Sequence, residues 1–158
     1  MRAAVLAFRQ FGMQDGAASA NVLLGDALSL EAQGMRDSQE KQEKFADAYE
    51  ALAATLAVNR RERRPLDWAE ANVKLATIAL HQAKLANAGF GAAPYGVDAR
   101  LYAERARDCL YRAYVIYRPP YKPPFDDPKL TLDLNACALE VRNKADEVRL
   151  FGVAMTFE

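Results

Sequence analysis

The residue types that most often carry chemistry in proteins are sparse in this chain. It has one histidine, His81, and two cysteines, Cys109 and Cys137, which are far apart and form no CxxC pair. A histidine-based metal site is therefore not expected. The two cysteines are expected to be reduced, buried thiols. No glycine-rich phosphate loop, GxSxG or HExxH occurs, and the neighbouring carboxylates Asp126 and Asp127 are explained as helix caps. The sequence predicts a protein that is not an enzyme and needs no metal or other cofactor.

A second chemical pattern is the arginine- and tyrosine-rich segment of residues 100–122. Arginine beside aromatic rings is typical of protein interfaces, and the same residue types stack on single-stranded nucleic acid. A structural explanation is also available, because Tyr114 and Tyr117 continue a buried stripe with Leu110 while arginines solvate the opposite face. The residues that we expect at an interface, should this segment form one, are Arg105, Arg112, Tyr111 and Tyr121.

Charge and hydropathy exclude a strong global attraction to nucleic acids or to membranes. Lys plus Arg number 21 and Asp plus Glu number 21, so the formal net charge is zero. Every apolar run is much shorter than the roughly 18 residues that a membrane-spanning helix requires. The N-terminal apolar run could pass for a weak signal peptide. Arg9 and Gln10 interrupt it, however, and the residues that follow do not resemble a clean cleavage site, so export is not expected. We expect one cytoplasmic domain covering residues 1–158.

The elements that position these residues are predicted to be helices throughout. Apolar residues recur at a period near 3.6, and no alternating strand pattern of any length is present. Asp37 followed by Glu40, and Asp67 followed by Glu70, fit the capping box at a helix start. The expected helices span residues 2–11, 17–33, about 37–59, 67–88, 98–117 and 128–151, with Gly34 and Gly89 closing two of them.

The helical pattern repeats along the chain. A shift of 75 − 24 = 51 residues places Leu24 on Leu75, and a shift of 110 − 52 = 58 places Leu52 on Leu110 in the helices that follow. A weaker third copy begins at Pro124. The repeating unit is therefore a pair of antiparallel helices. It is expected at about 17–59 and 67–117, followed by one capping helix at about 128–151.

These repeats resemble the tetratricopeptide repeat, in particular a bacterial variety with long repeats that begin PLDWA. The matching residues are Pro65, Leu66, Asp67, Trp68, Ala69, Asn72 and Leu75 in the second copy, with Leu24, Gly25, Ala27 and Leu28 in the first. The stretch from Phe45 to Leu52 resembles the alanine–tyrosine–alanine run of the family's second helices. The resemblance implies an all-α fold, with about six helices stacked as antiparallel hairpins in a short right-handed superhelix.

The resemblance also implies a concave groove, lined by the first helix of each pair, that binds peptides or partner proteins. The groove residues that we expect are Asp26, Glu70, Lys74, Thr77, His81 and Lys129, flanked by Ser19, Val22, Ser29, Val73, Leu132, Asp133 and Ala136. Family members that clamp a C-terminal carboxylate use basic residues and asparagine there, whereas Asp26 and Asp133 are acidic, so that clamp is not expected. A plain solvated helix face is the alternative. Trp68 is expected to pack a helix against its predecessor.

Three functions of different classes remain as hypotheses. The first is a scaffold or adaptor that binds a protein or peptide without catalysis. The second is nucleic-acid binding by residues 100–122, which would weaken steeply with salt. The third is a small-molecule or catalytic pocket, which would require an enclosed cavity with convergent polar groups. Because a short repeat array exposes its ends, a second copy of the chain is a further candidate partner, docking around Val5, Phe8 and Phe11.

Overall fold

The computed structural model describes residues 2–91, 97–118 and 128–157, and over these residues the chain is all-helical, as predicted, with no strand. The helices are α1 Arg2–Gln10, α2 Gln14–Gly34, α3 Gln39–Ala53, α4 Pro65–Asn87, α5 Val97–Tyr117 and α6 Pro128–Arg149, and a short 3-10 helix, Ala54–Ala57, follows α3. Each of the six α-helices packs against the next one along the chain, and the contact between α4 and α5 is the most extensive.

Contacts between side chains show that α2 and α3 are antiparallel. Lys44, in the first half of α3, lies 3.1 Å from Glu31 near the end of α2. At the other end of α3, Leu52 lies over Gly25 in the middle of α2. A Cβ atom at residue 25 would meet Leu52 Cγ at 2.5 Å. The absence of a side chain at Gly25 therefore permits the close approach of the two helices that the sequence predicts at this position.

The first helices of the two copies, α2 and α4, run side by side in the same direction. Asp15 at the start of α2 lies 3.1 Å from Arg64, the residue before α4. Further along both helices, Asp26 lies 2.7 Å from Lys74. The two contacts advance together along the two helices, which requires a parallel arrangement. Stacked helical hairpins place their first helices in this way.

Helix α4 is the centre of the core. Ala69, Ala76, Ala79 and Ala83 of this helix are all 0% exposed, and the buried cluster around them reaches from α2 to α6. Small side chains let neighbouring helices approach closely, so α4 can be enclosed on most sides. Trp68, in the first turns of α4, is half-buried and packs against this cluster.

The capping box predicted for α3 at Asp37 is wrong. The N-cap is Ser38, whose Oγ accepts a hydrogen bond from the backbone N–H of Lys41 at 3.1 Å. Asp37 instead forms an ion pair with the side chain of Lys41 at 3.0 Å. A serine in extended conformation at the N-cap satisfies one of the free N–H groups of the first turn, so the preceding carboxylate is left to pair with a side chain.

The start predicted for α4 at Asp67 is also wrong. The helix begins at Pro65, and the N-cap residue Arg64 makes no side-chain capping bond. Proline is favoured at the first helical position because its fixed φ suits a helix and its missing N–H would have no partner there. Asp67 consequently lies inside the first turn, where its negative charge complements the positive N-terminal end of the helix dipole. Its Oδ2 atom lies 3.6 Å from Nη1 of Arg64.

Other helix ends differ more modestly from the predictions. Helix α3 ends at Ala53, and the 3-10 helix occupies Ala54–Ala57 where the α-helix was expected to continue. The Thr55 hydroxyl is buried there and donates to the carbonyl of Leu52 at 2.7 Å. Gly34 remains within α2 and does not adopt a positive φ, whereas Gly89 beyond α4 has φ of 98°.

After α6 the chain turns and packs against the helices. Gly152, with φ of 71°, makes the turn, and Val153 and Met155 are buried beyond it. Arg149 at the end of α6 donates from Nη2 to the carbonyl of Met155 at 2.7 Å. Val153 and Met155 therefore belong to the core, although Leu150, just after α6, is exposed.

Candidate functional site

The cleft between α2 and α4 contains two solvent-accessible cavities. We call the first the Thr77 cavity; it measures about 320 Å³, and its lining includes Asp26, Ser29, Leu30, Leu52, Lys74 and Thr77. The second, which we call the Asn59 cavity, measures about 370 Å³ and is lined by Ser19, Val22, Leu23, Asn59, Arg64, Asp67, Glu70, Ala71 and Lys74. The structure thus brings together four of the expected groove residues, namely Asp26, Glu70, Lys74 and Thr77.

Lys74 lines both cavities and separates them. Its Nζ atom lies 2.7 Å from Asp26 Oδ2 and 3.4 Å from Glu70 Oε1. Burial lowers the pKa of Lys74, but its hydrogen bond with Asp26 and the charges of Asp26 and Glu70 raise the pKa more, and the net shift is upward. Lys74 is therefore a fixed positive charge in the middle of the cleft.

Thr77 and Val73 lie one turn apart on α4 but differ in accessibility. The Thr77 hydroxyl donates to the backbone carbonyl of Val73 at 3.0 Å, which leaves its oxygen available to accept. Val73 is only 8% exposed and packs in the core. The expectation that Val73 lies on the groove surface is therefore wrong, because its side chain packs among the core residues.

His81 lies away from both cavities. Its ring stacks on Phe45 of α3, with ring centroids 5.0 Å apart and an interplanar angle of 4°. Burial lowers the pKa of His81, Lys84 lowers it further, and Glu147 of α6 opposes the shift. The ring is thus held as a neutral packing group between α3 and α4, at the opposite end of α4 from the Asn59 cavity.

The residues expected from the third repeat are only partly described. Among them, the side chains of Lys129 and Leu132 lie outside the described residues, and Asp133 and Ala136 are exposed on α6. Helix α6 reaches α4 through Lys84, whose Nζ lies 2.8 Å from Glu147 Oε2.

Three residues of the cleft were missed by sequence reasoning. Leu23 and Leu30 of α2 are 62% and 69% exposed, and each lines one of the two cavities. Asn59 is only 7% exposed and lines the Asn59 cavity, and its Oδ1 atom has no hydrogen-bond partner among the described residues. Periodicity alone assigned the leucine at position 23 to the buried side, and no pattern pointed to an asparagine in a connector.

The described tyrosines of the segment 100–122 are partly or fully covered by the chain itself. Tyr114 and Tyr117 are 9% and 6% exposed. Phe157 packs against two tyrosine rings, with centroid distances of 5.9 Å to Tyr111 and 4.3 Å to Tyr114. The backbone N–H of Thr156 also donates to the Tyr111 hydroxyl at 3.1 Å. These contacts agree with the buried-stripe explanation for Tyr114 and Tyr117.

The arginines of the same segment lie on the outside of α5. Arg105 and Arg112 are exposed, and the Arg105 guanidinium lies 5.5 Å from the centre of the Tyr102 ring. Tyr121 lies outside the described residues.

At the other end of the molecule, Val5 is 6% exposed and Phe11 is 80% exposed. The apolar end surface expected around α1 therefore excludes Val5, which is buried.

Neither a metal site nor a membrane span is found in the part of the chain that the structure describes. Its His, Cys, Asp and Glu residues form no group of three or more that could hold a metal ion. None of its helices is sufficiently long and apolar to cross a membrane. Both cysteines are free; Cys109 is buried and Cys137 is half-buried. Burial raises the pKa of both thiols.

Comparison with known proteins gives no relative, since no family model, no curated protein and no solved structure matches this chain. The resemblance to the tetratricopeptide repeat therefore stays a prediction.

Proposed function

We propose that this protein binds an extended segment of a partner protein in the cleft between α2 and α4. The observation that carries the proposal is the exposure of Leu23 and Leu30, which are 62% and 69% accessible and face the two cavities. Large apolar side chains grouped in a concave, polar-rimmed surface are typical of binding sites. Here the rim is supplied by Asp26, Glu70 and Lys74.

The spacing of the two leucines favours an extended ligand. They are seven residues apart on one helix, which corresponds to two turns and a rise of about 10.5 Å. An extended chain covers that distance in about three residues. The partner segment is therefore expected to place two apolar side chains three or four residues apart, one against Leu23 and one against Leu30.

The shape of the cleft favours a peptide over a small molecule. The two cavities lie in series along α2, are open to solvent, and are separated by the ion pair of Lys74 and Asp26. Small-molecule sites usually enclose most of the ligand in a single concave pocket. A chain that crosses the ion pair can reach both cavities at once, which a compact ligand cannot do.

A peptide selection tests this proposal. Randomised linear peptides of about nine residues would be selected against the intact protein, and the affinities of the enriched peptides would be measured by fluorescence anisotropy. Leu23→Glu and Leu30→Glu place a charge against the apolar part of the ligand. Each should weaken binding by about ten-fold or more, equivalent to at least 1.4 kcal/mol.

Leu139→Glu is the matched control, because Leu139 is 58% exposed on α6, outside the cleft. The proposal predicts unchanged affinity for this variant. Failure to enrich any peptide, or enriched peptides that bind Leu23→Glu and Leu30→Glu as well as the wild type, would contradict it.

A further inference from the structure

A further cavity lies between α1, α2 and α3, on the other side of α2 from the cleft. We call it the Asn21 cavity; it measures about 340 Å³, and its lining includes Leu6, Asn21, Leu24, Leu28 and Glu50. Asn21 and Leu23 are two residues apart on α2, which corresponds to a rotation of about 200° around the helix axis. The Asn21 cavity is therefore separate from the cleft that Leu23 and Leu30 line.

Asn21 is buried, yet its side chain makes no hydrogen bond to any described residue. It is 5% exposed, whereas its counterpart in the second repeat, Asn72, is 0% exposed and donates from Nδ2 to the carbonyl of Trp68 at 2.8 Å. The Oδ1 atom of Asn72 is sealed from solvent, but both polar atoms of Asn21 retain contact with solvent. Because Asn21 lines the cavity, an unpaired donor and an unpaired acceptor are accessible there side by side.

The walls next to this amide are apolar. Leu24 and Leu28 follow Asn21 by three and seven positions on α2, so the three side chains share one side of the helix. Both leucines are half-buried, and Leu6 of α1 is 60% exposed at the same cavity. Apolar walls with a few oriented polar groups are typical of ligand sites. A ligand is therefore expected to carry an apolar group beside its hydrogen-bonding group.

Carboxylates at the rim of the cavity disfavour an anionic ligand. Asp47 and Glu50 of α3 both line the cavity and are exposed. Glu50 forms no ion pair with any described residue. The apolar tail of a fatty acid would suit the leucines, but its carboxylate would be repelled by Glu50 and would offer no donor to Oδ1 of Asn21.

We infer that the Asn21 cavity binds one residue of an extended partner polypeptide, through the backbone N–H and C=O of that residue and its apolar side chain. A residue in an extended segment presents its N–H and C=O to the same side. Nδ2 of Asn21 can donate to that carbonyl while Oδ1 accepts from that N–H. A carboxylate only accepts and an ammonium group only donates, so neither satisfies both atoms. The site does not depend on the function proposed for the cleft.

The backbone recognition can be tested by NMR titration of the full chain with N-acetyl-leucine N′-methylamide. Two molecules of nearly the same shape serve for comparison, namely the ester analogue, in which oxygen replaces the leucine N–H, and the anion N-acetylleucinate. We expect saturable shifts of the Asn21 side-chain amide, with a dissociation constant about five-fold lower than that of either comparison molecule. Equal or tighter binding of the ester or the anion would overturn the inference, as would the lack of any saturable shift.

Substitutions of Asn21 test whether its amide is the group that recognises the backbone. Asn21→Leu and the smaller Asn21→Ala should each weaken binding of the amide by about five-fold and abolish its preference over the ester. Binding of the ester measures whether the cavity itself persists in each variant. Asn143→Leu is the matched control, because Asn143 is exposed on α6, outside the cavity. Retention of the preference in either folded variant of Asn21 would overturn the inference.

The polypeptide source is tested by selecting linear peptides against the double variant Leu23→Glu/Leu30→Glu, in which the cleft is blocked. Addition of Asn21→Leu to this variant should weaken binding of the enriched peptides by about five-fold or more. Failure to enrich any peptide, or equal affinity after Asn21→Leu, would overturn this inference and leave the proposed function standing. Failure of the selection described for the cleft, with peptides enriched here, would contradict the proposed function alone.

Discussion

The Nζ atom of Lys74 lies 2.7 Å from Oδ2 of Asp26 and joins the middle of α4 to the middle of α2. The two side chains are 29% and 40% exposed. Lys74 lines both cavities of the cleft, whereas Asp26 lines only the Thr77 cavity. The ion pair therefore crosses the cleft between its two halves.

Removal of this ion pair should have a small effect on stability. For Lys74→Met we expect the free energy of unfolding to fall by about 0.2–1 kcal/mol, because the pair is partly exposed and screened by solvent. Urea unfolding followed by the fluorescence of Trp68, the single tryptophan, would measure the change. Asp26→Asn and the double variant complete a cycle that isolates the interaction. Fully additive effects of the two substitutions would show that the ion pair contributes nothing.

Replacement of Gly25 by alanine should destabilise the contact between α2 and α3. A Cβ atom there would lie 2.5 Å from Leu52 Cγ and 3.2 Å from the backbone oxygen of Ala48, so the helices would have to separate. Overpacking of this kind typically costs about 1–3 kcal/mol. Gly34→Ala is the matched control in the same helix. No atom lies within 4 Å of a Cβ at Gly34, so that variant should be neutral or slightly more stable.

Thermal and urea unfolding of the two glycine variants give the comparison. Equal stabilities of Gly25→Ala and Gly34→Ala would show that α2 and α3 do not depend on the missing side chain at Gly25.

The features that sequence reasoning predicted are those fixed by periodicity within one helix. Apolar residues of α4 recur at a period near 3.6, and two members of that pattern, Ala76 and Ala79, are fully buried. The self-similarity of the chain also aligns Asn21 with Asn72, and these two asparagines are 5% and 0% exposed. At this pair of positions, the repeat in sequence corresponds to similar burial.

His81 shows why the groove could not be predicted residue by residue. It follows Lys74 by seven positions, so the two side chains share one side of α4. The neighbours change along that side, however. Asp26 of α2 lies opposite Lys74, whereas Phe45 of α3 lies against His81. Which neighbour covers each part of a helix depends on crossing geometry, and single-helix periodicity holds no information about that geometry.

Asn59 was missed for a different reason. Sequence periodicity extended the third helix to about residue 59, but the α-helix ends at Ala53 and a 3-10 helix follows. The tighter turn redirects the connector, and it places Asn59 at the cleft with its backbone N–H bonded to Thr55. Conformations of this kind are set by a few local hydrogen bonds, and hydrophobic patterning does not report them.

Truncation of Phe157 should loosen the packing of α5. Its ring contacts Tyr111 and Tyr114 at centroid distances of 5.9 Å and 4.3 Å. Because each aromatic contact is worth about 0.5–1.5 kcal/mol, we expect Phe157→Ala to lower the free energy of unfolding by about 1–3 kcal/mol. Leu150→Ala is the control, since Leu150 is 82% exposed just after α6 and should change stability little.

Tyrosine ring signals in NMR spectra provide a second measurement for Phe157→Ala. The signals of Tyr111 and Tyr114 should lose the ring-current shifts caused by Phe157. Unchanged shifts together with unchanged stability would mean that the residues after α6 do not cover these rings in solution.

The pH dependence of stability provides a direct measurement of how His81 is held. Burial against Phe45 lowers the pKa of His81 from its ordinary value of 6.5, Lys84 adds to the effect, and Glu147 opposes it. Lys144 and Lys41 also face the ring from α6 and α3 and lower its pKa. The neutral form is thus favoured by folding.

A folded pKa below the unfolded one fixes the direction of this effect. The stabilisation is complete above the unfolded pKa, and it is lost as the pH falls through that value towards the folded pKa. With a single histidine in the chain, unfolding free energies should decline from about pH 7.5 to pH 5.5, whereas His81→Gln should give a nearly flat profile. The hydrogen bond with Lys84 lowers the pKa of Glu147 from its ordinary value of 4.5. The stabilisation that Glu147 contributes is therefore lost only at a lower pH, below 4.5. An NMR titration in which His81 has a pKa at or above 6.5 would contradict the proposed burial of the neutral ring.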